Sequence, residues 1–312
     1  MDGTVHELNV EKESWGQRMT GLRILLTGAS GFVGQHMARL LIERGFRVSA
    51  LQRGSLGIEL PPMVERIYAD LSDPASLATV PRKWHGVIHL AGASVPSLFT
   101  TSAPVVMNVA MTLNLLEHVQ EARVLLVSSC HVYAPFDTPR VEDSLIVPQG
   151  RYGLSKHLLE QLAPHYAQSL DIRIARPFNH LGPHQRPELV IPSLLRRLAA
   201  TKNETGPVRM QGMNSVRDFI DVRDVAAAYL AILELESPVH RTFNVCTGAG
   251  RSIGELVALV LNLLGSEREV LFEGRPNSTD DIRFLVGSPD RLLAESGWKP
   301  RLSLEQSLRD ML

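Results

Sequence analysis

A glycine-rich turn, TGASGFVG at residues 27–34, separates a strand-like apolar segment at 22–28 from a helix-length amphipathic segment at about 32–44. In this setting its glycines permit a tight turn, close approach of the backbone to a pyrophosphate, and close packing of helix on strand. The helix N-terminus adds N–H donors and a favourable dipole. The turn is therefore predicted to bind a dinucleotide, and a purely structural turn is the less favoured alternative. The residues predicted to contact the dinucleotide here are Gly28, Ser30, Gly31, Phe32, Val33 and Gly34.

The strand and helix alternation continues along the chain as far as residue 177. Strand-like segments at 46–52, 66–70, 86–92, 124–129 and 171–177 accompany helix-length segments that include 104–121 and 151–169. This pattern predicts an α/β fold, a Rossmann-type doubly wound parallel sheet, followed by a smaller C-terminal α/β substrate-binding domain. The predicted boundaries are a flexible N-terminal extension at 1–20, a dinucleotide-binding domain at 21–177 to which 217–247 returns, and a substrate-binding domain at 178–216 and 248–312.

Composition limits the classes of partner. The formal net charge of −1 is spread without long runs of one sign, so the chain lacks the basic face that nucleic acid or an anionic membrane requires. Two cysteines, Cys130 and Cys246, lie far apart without ligand spacing, which disfavours a disulfide framework and a metal site. No segment has the length and apolar character of a signal peptide or membrane span. We expect a cytoplasmic protein with a small-molecule substrate.

The end of the second strand predicts which dinucleotide binds. An NAD-specific site usually places a carboxylate there, but this chain has Ala50, Leu51, Gln52 and Arg53. A guanidinium at this place can pair with a 2′-phosphate. NADP(H) is therefore favoured and NAD(H) remains possible, while a solvated surface charge is the alternative interpretation of Arg53.

A tyrosine and a lysine four residues apart form the candidate catalytic pair. In RYGLSK, Tyr152 and Lys156 lie on one face of a helix. A nearby ammonium that stabilises the phenolate is expected to make Tyr152 an acid or base near neutral pH. The pair alone is weak evidence, but it follows a dinucleotide turn and a strand that ends in serines at 128 and 129.

Together these motifs resemble the extended short-chain dehydrogenases/reductases of the NAD(P)-dependent sugar epimerase/dehydratase type, over nearly all of residues 22–312. The segments that carry the resemblance are TGASGFVG, IHLAG (88–92), SSCHVY (128–133), YGLSK (152–156), RPFNHLGP (176–183), SVRDFIDVRDV (215–225), FNVCTG (243–248), GRP (274–276) and GWKP (297–300). The resemblance implies a nucleotide-sugar substrate. It also implies a homodimer formed by the helices at 104–121 and 151–169, with deeper burial within one chain as the alternative.

The resemblance also assigns roles to individual residues. Ser129 is expected to bond the substrate oxygen, Tyr152 to exchange the proton, and Lys156 to bind the nicotinamide ribose, while Asn108 belongs to the catalytic relay or its surroundings. The remaining expected cofactor contacts are Tyr152 itself, Asp70, Leu71, Leu90, Ala91, Gly92 and Pro177. The expected substrate contacts are Ser129, His131, Asn179, Val190, Arg217 and Arg275.

The two guanidinium groups among those substrate contacts suit a doubly charged diphosphate. For Asn179, Arg217 and Arg275 the competing interpretation is surface ion pairing with Asp218 or Asp280. His131 has three interpretations that stay open: a helper acid or base, a contact to a substrate hydroxyl, or an ordinary loop histidine.

The residues after Ser129 bear on the reaction. Dehydratases of this family carry acids where this chain has Cys130 and His131, and a neutral thiol is a poor substitute for an acid. A dehydratase is therefore disfavoured. The motifs most resemble reductases of GDP-linked 4-keto-6-deoxymannose, which form GDP-rhamnose. The alternatives are a nucleotide-sugar 4-epimerase that holds NAD tightly and a cofactor-sensing binding protein, which the presence of Ser129, Tyr152 and Lys156 disfavours.

Overall fold

The computed structural model describes residues 21–54, 60–187, 189–200, 207–211, 213–273 and 282–312. Its strands are β1 Arg23–Thr27, β2 Arg47–Gln52, β3 Glu65–Tyr68, β4 Gly86–His89, β5 Arg123–Val127, β6 Asp171–Pro177, β7 Asn179–Leu181, β8 Val208–Gln211, β9 Val216–Asp221, β10 Thr242–Val245, β11 Gly250–Ser252, β12 Val270–Glu273 and β13 Phe284–Leu285. Its α-helices are α1 Phe32–Glu43, α2 Ala103–His118, α3 Gly150–Tyr166, α4 Val190–Ala200, α5 Val222–Glu234, α6 Ile253–Leu264, α7 Asp290–Ser296 and α8 Leu304–Arg309. The predicted extension at 1–20 lies outside the described residues.

Seven parallel strands form the central sheet, in the order β10-β6-β5-β4-β1-β2-β3. Because β1 pairs with β2 on one side and with β4 on the other, the strand order reverses beside β1. In open α/β sheets a ligand binds at such a reversal, outside the carboxyl ends of the strands. The predicted doubly wound parallel sheet is confirmed, and its reversal point coincides with the glycine turn that follows β1.

Both faces of the sheet are covered by helices, which explains the nearly continuous apolar strands. Along β1, Ile24 and Leu26 face a core shared with α1 and α5, whereas Leu25 faces a core shared with α2 and α3. All three side chains are fully buried. Successive residues of a strand point to opposite faces, so a strand covered on both sides needs apolar residues at every position.

The C-terminal part of the chain carries an apolar core of its own. Residues of α4, β8, α6 and α8 form it, with Leu194, Leu256 and Leu308 among its buried members. The short strands β7, β9, β11 and β13 form a second sheet. The assignment of residues 178–216 and 248–312 to substrate binding stays a prediction.

The described part of the chain shows neither a membrane-spanning helix nor a cluster of metal ligands. None of its helices combines the length and apolar character needed to cross a membrane. Within the same residues, no group of three or more histidine, cysteine, aspartate or glutamate side chains could hold a metal ion. Cys130 and Cys246 are both buried free thiols.

Candidate active site

The glycine turn has no room for side chains at two of its positions. Gly28 has φ +71°, and a Cβ there would come within 2.7 Å of the backbone nitrogen of Ala91. A Cβ on Gly34 would overlap the carbonyl oxygen of Gly28. The turn therefore brings bare backbone to the carboxyl end of β1, which is the kind of cradle that a dinucleotide pyrophosphate requires.

The first turn of α1 points its backbone at the same place. Gly31 is the N-cap, and because glycine has no side chain, it supplies no capping hydrogen bond. The first N–H groups of a helix lack partners within the helix and favour an anion. Ser30 and Val33 flank this cap, while the ring of Phe32 stacks on His180 with 5.8 Å between centroids. Phe32 therefore also joins α1 to β7.

The residues predicted to contact the adenosine lie at the ends of β2 and β3. Arg53 is exposed directly after β2. One carboxylate oxygen of Asp70 accepts hydrogen bonds from the Ser72 backbone N–H and hydroxyl, at 2.8 and 2.7 Å, which lowers the pKa of Asp70. The Leu71 side chain is buried in the core under α2 and α3, so only its backbone is available to a ligand.

A chain of buried hydrogen bonds fixes the loop after β4, which holds Leu90, Ala91 and Gly92. The Thr27 hydroxyl accepts from the Ala91 N–H at 3.1 Å and bonds Nδ1 of His89 at 2.8 Å. His89 Nε2 bonds the Thr112 hydroxyl at 3.1 Å. Burial, followed by the charge of Lys156, lowers the pKa of His89 to about 3, so its ring is neutral. Sequence reasoning missed Thr27, His89 and Thr112, although the polar histidine within IHLAG was a signal.

Asn108 of α2 completes this support. Its side-chain oxygen accepts from the Ala93 N–H at 2.8 Å, and its amide nitrogen donates to the Ala93 carbonyl at 3.0 Å and to the Ser155 hydroxyl at 3.4 Å. The Ser155 hydroxyl donates in turn to the Tyr152 carbonyl at 2.8 Å. Asn108 thus connects the cofactor loop to the helix that carries Tyr152.

Helix α3 holds Lys156 beneath the carboxyl ends of β5 and β6, where the buried Pro177 ends β6. The buried Lys156 ammonium donates to the Val127 carbonyl at 2.8 Å. Burial lowers the pKa of Lys156 to about 8, and the nearby Glu160 acts in the opposite direction. Glu160 itself accepts two hydrogen bonds from the Arg176 guanidinium, at 2.9 and 2.7 Å, which anchors this face of the helix to β6.

Tyr152 lies between two rings. The centroid of its ring is 5.4 Å from that of Phe99 and 5.3 Å from that of His131, both in edge-on geometry. Burial raises the pKa of Tyr152 to about 12, while a hydrogen bond from Ser129 acts in the opposite direction. The expectation that a nearby ammonium lowers this pKa is therefore wrong for this state of the enzyme, because Lys156 donates to Val127 and burial dominates. The phenol is protonated at neutral pH.

Ser129 is the N-cap of a short 3₁₀ turn, Cys130–Val132, that follows β5. The Ser129 hydroxyl accepts from the His131 backbone N–H at 3.2 Å and lies 3.2 Å from Nδ1 of the same residue. Burial, followed by the charge of Arg217, lowers the pKa of His131 to about 4. Burial raises the pKa of the Cys130 thiol to about 12. Ser129, His131 and Tyr152 are thus brought together. The His131 imidazole is neutral, and so is the neighbouring Cys130 thiol.

The structure describes some of the predicted substrate contacts and leaves out others. The side-chain oxygen of Asn179 is buried and has no hydrogen-bond partner among the described residues. Arg217 donates to the Val216 carbonyl at 3.0 Å. Val190 begins α4. Arg275 and Asp280 lie outside the described residues.

The competing interpretation of Arg217, an ion pair with Asp218, finds no such contact recorded among the described residues. The fully buried Asp218 carboxylate accepts from the Thr247 N–H at 2.9 Å, the Thr247 hydroxyl at 2.6 Å and the Gly248 N–H at 2.9 Å. Arg217 and Asp218 are neighbours in β9, so their side chains point to opposite faces. Asp218 therefore fixes the loop after β10.

Comparisons with known proteins agree with this geometry. The GDP-6-deoxy-D-mannose reductase of Pseudomonas aeruginosa is 33% identical over 304 residues, which cover 93% of this chain and 96% of that protein. The GDP-6-deoxy-D-talose 4-dehydrogenase of Aggregatibacter actinomycetemcomitans is 29% identical, with 87% and 90% covered. The UDP-glucose 4-epimerase of Corynebacterium glutamicum is 25% identical, with 89% and 91% covered.

A solved structure and a family model also match this chain. The structure of RMD from Pseudomonas aeruginosa complexed with NADPH matches with a TM-score of 0.78 and 31% identity, covering 93% of this chain and 97% of that one. The model of the NAD dependent epimerase/dehydratase family matches residues 24–246. The expected NAD(P)-dependent oxidoreductase is confirmed. The chain therefore belongs to the NAD dependent epimerase/dehydratase family.

Proposed function

We propose that the protein reduces the 4-keto group of a nucleotide-linked 4-keto-6-deoxy sugar with NADPH, and that it forms GDP-rhamnose from GDP-4-keto-6-deoxymannose. The observation that carries the proposal is the pairing of the Ser129 hydroxyl with a Tyr152 phenol whose pKa, raised to about 12, keeps it a proton donor. A carbonyl reduction needs such a donor at the oxygen. The similar reductase of Pseudomonas aeruginosa supports the GDP-linked substrate.

The residues present fit a nicotinamide dinucleotide. A Cβ at Gly28 or Gly34 would fill the cradle beside β1, and the loop of Ala91 is fixed next to it by Thr27. We assign the pyrophosphate to this turn, the adenosine to the ends of β2 and β3, and the nicotinamide ribose to Lys156. When bound, the reduced cofactor supplies a hydride.

The chain's own residues manage the substrate oxygen. The Tyr152 hydroxyl protonates the oxygen as the carbonyl becomes an alcohol, and the Ser129 hydroxyl donates a hydrogen bond that stabilises the negative charge developing there. Tyr152 then recovers a proton from solvent. Asn179 and Arg217 hold the diphosphate and so keep the sugar at the catalytic hydroxyls.

The residues around Ser129 support reduction over dehydration. A dehydratase removes a proton and expels an oxygen, which requires ionisable groups near their working pKa. Here burial keeps the Cys130 thiol protonated and the His131 ring neutral. Neither group carries the charge of the acids found in dehydratases.

The loss of NADPH absorbance in the presence of different keto sugars tests the proposal. Purified enzyme is mixed with GDP-, dTDP-, UDP- and CDP-linked 4-keto-6-deoxy sugars. We expect oxidation of NADPH with GDP-4-keto-6-deoxymannose and the highest kcat/KM for that compound. Turnover of another keto sugar together with none of the GDP-linked one would contradict the substrate assignment.

The exposed Arg53 is expected to set the cofactor preference. Replacing Arg53 with alanine removes the guanidinium from the proposed 2′-phosphate position, so kcat/KM for NADPH falls by roughly tenfold while that for NADH changes less than about twofold. The ratio of the two kcat/KM values measures the effect. Arg66→Ala, on the edge strand β3, is the matched control. Equal losses with both cofactors would remove Arg53 from this role.

Activity is expected to fall at alkaline pH because Lys156 loses its charge. Its pKa of about 8 means that the ammonium is present below that pH and is lost as the pH rises through it. For the free enzyme, kcat/KM for the cofactor should therefore fall by about tenfold per pH unit above that value. In Lys156→Arg the alkaline fall in kcat/KM should disappear from the measured pH range, since a guanidinium group stays charged there. A flat wild-type profile between about pH 7 and 9.5 contradicts the assignment.

A 4-epimerase is the second candidate, because a UDP-glucose 4-epimerase is among the similar proteins. An epimerase oxidises and then re-reduces its substrate, so it needs Tyr152 as a base as well as an acid. It predicts that the protein is purified with bound NAD and shows no net consumption of NADPH. Analysis of the denatured enzyme's supernatant for NAD distinguishes the two.

We also propose a homodimer through α2 and α3. Val106 and Met107 of α2 and Leu154 and Leu158 of α3 are exposed apolar residues on two helices that pack together. Leu115 and Leu116 of α2 and Leu159 of α3 are instead buried within the chain. Met107→Glu with Leu158→Glu is expected to halve the mass measured by light scattering. Val239→Glu, an exposed control elsewhere, should leave it unchanged.

A further inference from the structure

His131 contacts the Ser129 hydroxyl and the Tyr152 ring of the candidate active site. Nδ1 lies 3.2 Å from the Ser129 oxygen, and the ring meets the Tyr152 ring edge-on at 5.3 Å between centroids. The only other polar atom recorded near Nδ1 within the described residues is the Cys130 sulfur, at 3.7 Å. Whether Nδ1 carries a hydrogen decides what the Ser129 hydroxyl can do.

The Ser129 oxygen has one hydrogen to donate and two lone pairs that accept. One lone pair is taken by the His131 backbone N–H, at 3.2 Å. If the serine donated its hydrogen to a bare Nδ1, it would have none left for the substrate oxygen. An oxygen that accumulates negative charge is stabilised by donors, so such a serine would contribute nothing to the reduction.

We propose that His131 positions Ser129 by donating from a protonated Nδ1 to the serine oxygen, which leaves the single serine hydrogen available for the substrate oxygen. The proposal rests on the function proposed above. In this arrangement both lone pairs of the serine are used by His131, through its backbone and its ring. His131 is therefore a positioning residue and does not itself transfer a proton.

The surroundings hold His131 in this place. Its carbonyl accepts from the Gln149 N–H at 2.7 Å, and a Cβ on Gly153 would overlap that carbonyl. Helix α3 thus packs directly against the His131 backbone, at the turn that carries Tyr152. Burial lowers the pKa of His131 to about 4, so at neutral pH the ring has a single hydrogen. A Cys130 thiol with a pKa of about 12 stays protonated and is only a weak competitor for Nδ1.

Nitrogen NMR measures the tautomer without any turnover. Protein labelled with ¹⁵N in its eleven histidines is compared with His131→Asn to assign the two ring nitrogens. We expect a protonated Nδ1 and a bare Nε2 at pH 7.5. A bare Nδ1, or a doubly protonated ring, overturns the proposal whatever the substrate of the enzyme proves to be.

Variants test the consequence for reduction of the keto sugar. His131→Leu keeps the bulk but removes the donor, and kcat is expected to fall by about tenfold with KM within about twofold. His131→Asn places an amide N–H where Nδ1 stood, so kcat should stay within about threefold of wild type. In a Ser129→Ala background, His131→Leu should cost less than about twofold more, because the serine is no longer there to position.

Other outcomes count against the proposal. If His131→Leu is as active as wild type, or if its loss is undiminished without the Ser129 hydroxyl, His131 does not act through Ser129. If His131→Leu proves poorly folded by circular dichroism, the tautomer measured by NMR decides the proposal. A wild-type enzyme inactive on every keto sugar contradicts the proposed function, while the NMR result still decides the tautomer.

Discussion

Replacing Tyr152 with phenylalanine is expected to lower kcat for keto-sugar reduction by about 10²- to 10⁴-fold, the range for loss of a positioned proton donor. The ring stays, so its edge contacts with Phe99 and His131 persist and the fold should be unchanged. Only the hydroxyl that protonates the substrate oxygen is lost. NADPH binding should remain within about twofold of wild type, since the phenol is not assigned to bind the cofactor's phosphates.

Single-turnover rates and NADPH titration measure these two effects separately. Tyr166→Phe is the matched control, because Tyr166 lies on the same helix but its hydroxyl bonds Glu117 at 3.4 Å. That variant should keep wild-type activity. A Tyr152→Phe enzyme with more than about a tenth of the wild-type rate would remove Tyr152 from the role of proton donor.

Replacing Gly34 with alanine is expected to abolish NADPH binding, with Kd raised by at least about a hundredfold. The added methyl group would overlap the Gly28 carbonyl, so the turn and the start of α1 must separate. This displaces the backbone N–H groups to which we assign the pyrophosphate. Gly28→Ala should have a similar effect, because φ +71° is unfavourable for alanine and the methyl group would lie 2.7 Å from the Ala91 nitrogen.

Fluorescence titration with NADPH tests this prediction, and circular dichroism checks the fold. Gly54→Ala is the control, because a Cβ there meets nothing within 4 Å. It should bind NADPH as wild type does. Tight NADPH binding by a folded Gly34→Ala enzyme would show that the cofactor phosphates do not rest on this turn.

The features that sequence could predict are those that depend on local spacing. The glycine turn after β1 and the position of Tyr152 one turn before Lys156 follow from the periods of strand and helix. The same rule could have excluded an ion pair between Arg217 and Asp218, because neighbours in a strand point to opposite faces. The parallel sheet followed from apolar segments that recur between helix-length segments.

The features that sequence could not predict depend on contacts between distant segments. The raised pKa of Tyr152 comes from burial between Phe99 and His131, which lie on other parts of the chain. The buried links from Thr27 through His89 to Thr112 likewise join β1, β4 and α2. The sequence showed that Cys130 and His131 stand where dehydratases have acids. Their neutral state, however, follows from burial in the folded protein.

The most direct measurement follows deuterium from the cofactor into the sugar. The enzyme is incubated with GDP-4-keto-6-deoxymannose and NADPH that carries deuterium at the transferable position, and the product is examined by NMR and mass spectrometry. The account predicts a GDP-linked 6-deoxy sugar with one deuterium at C4 and one NADP⁺ formed per product. An unreduced or epimerised sugar that contains no deuterium, with NADPH unchanged, would contradict it.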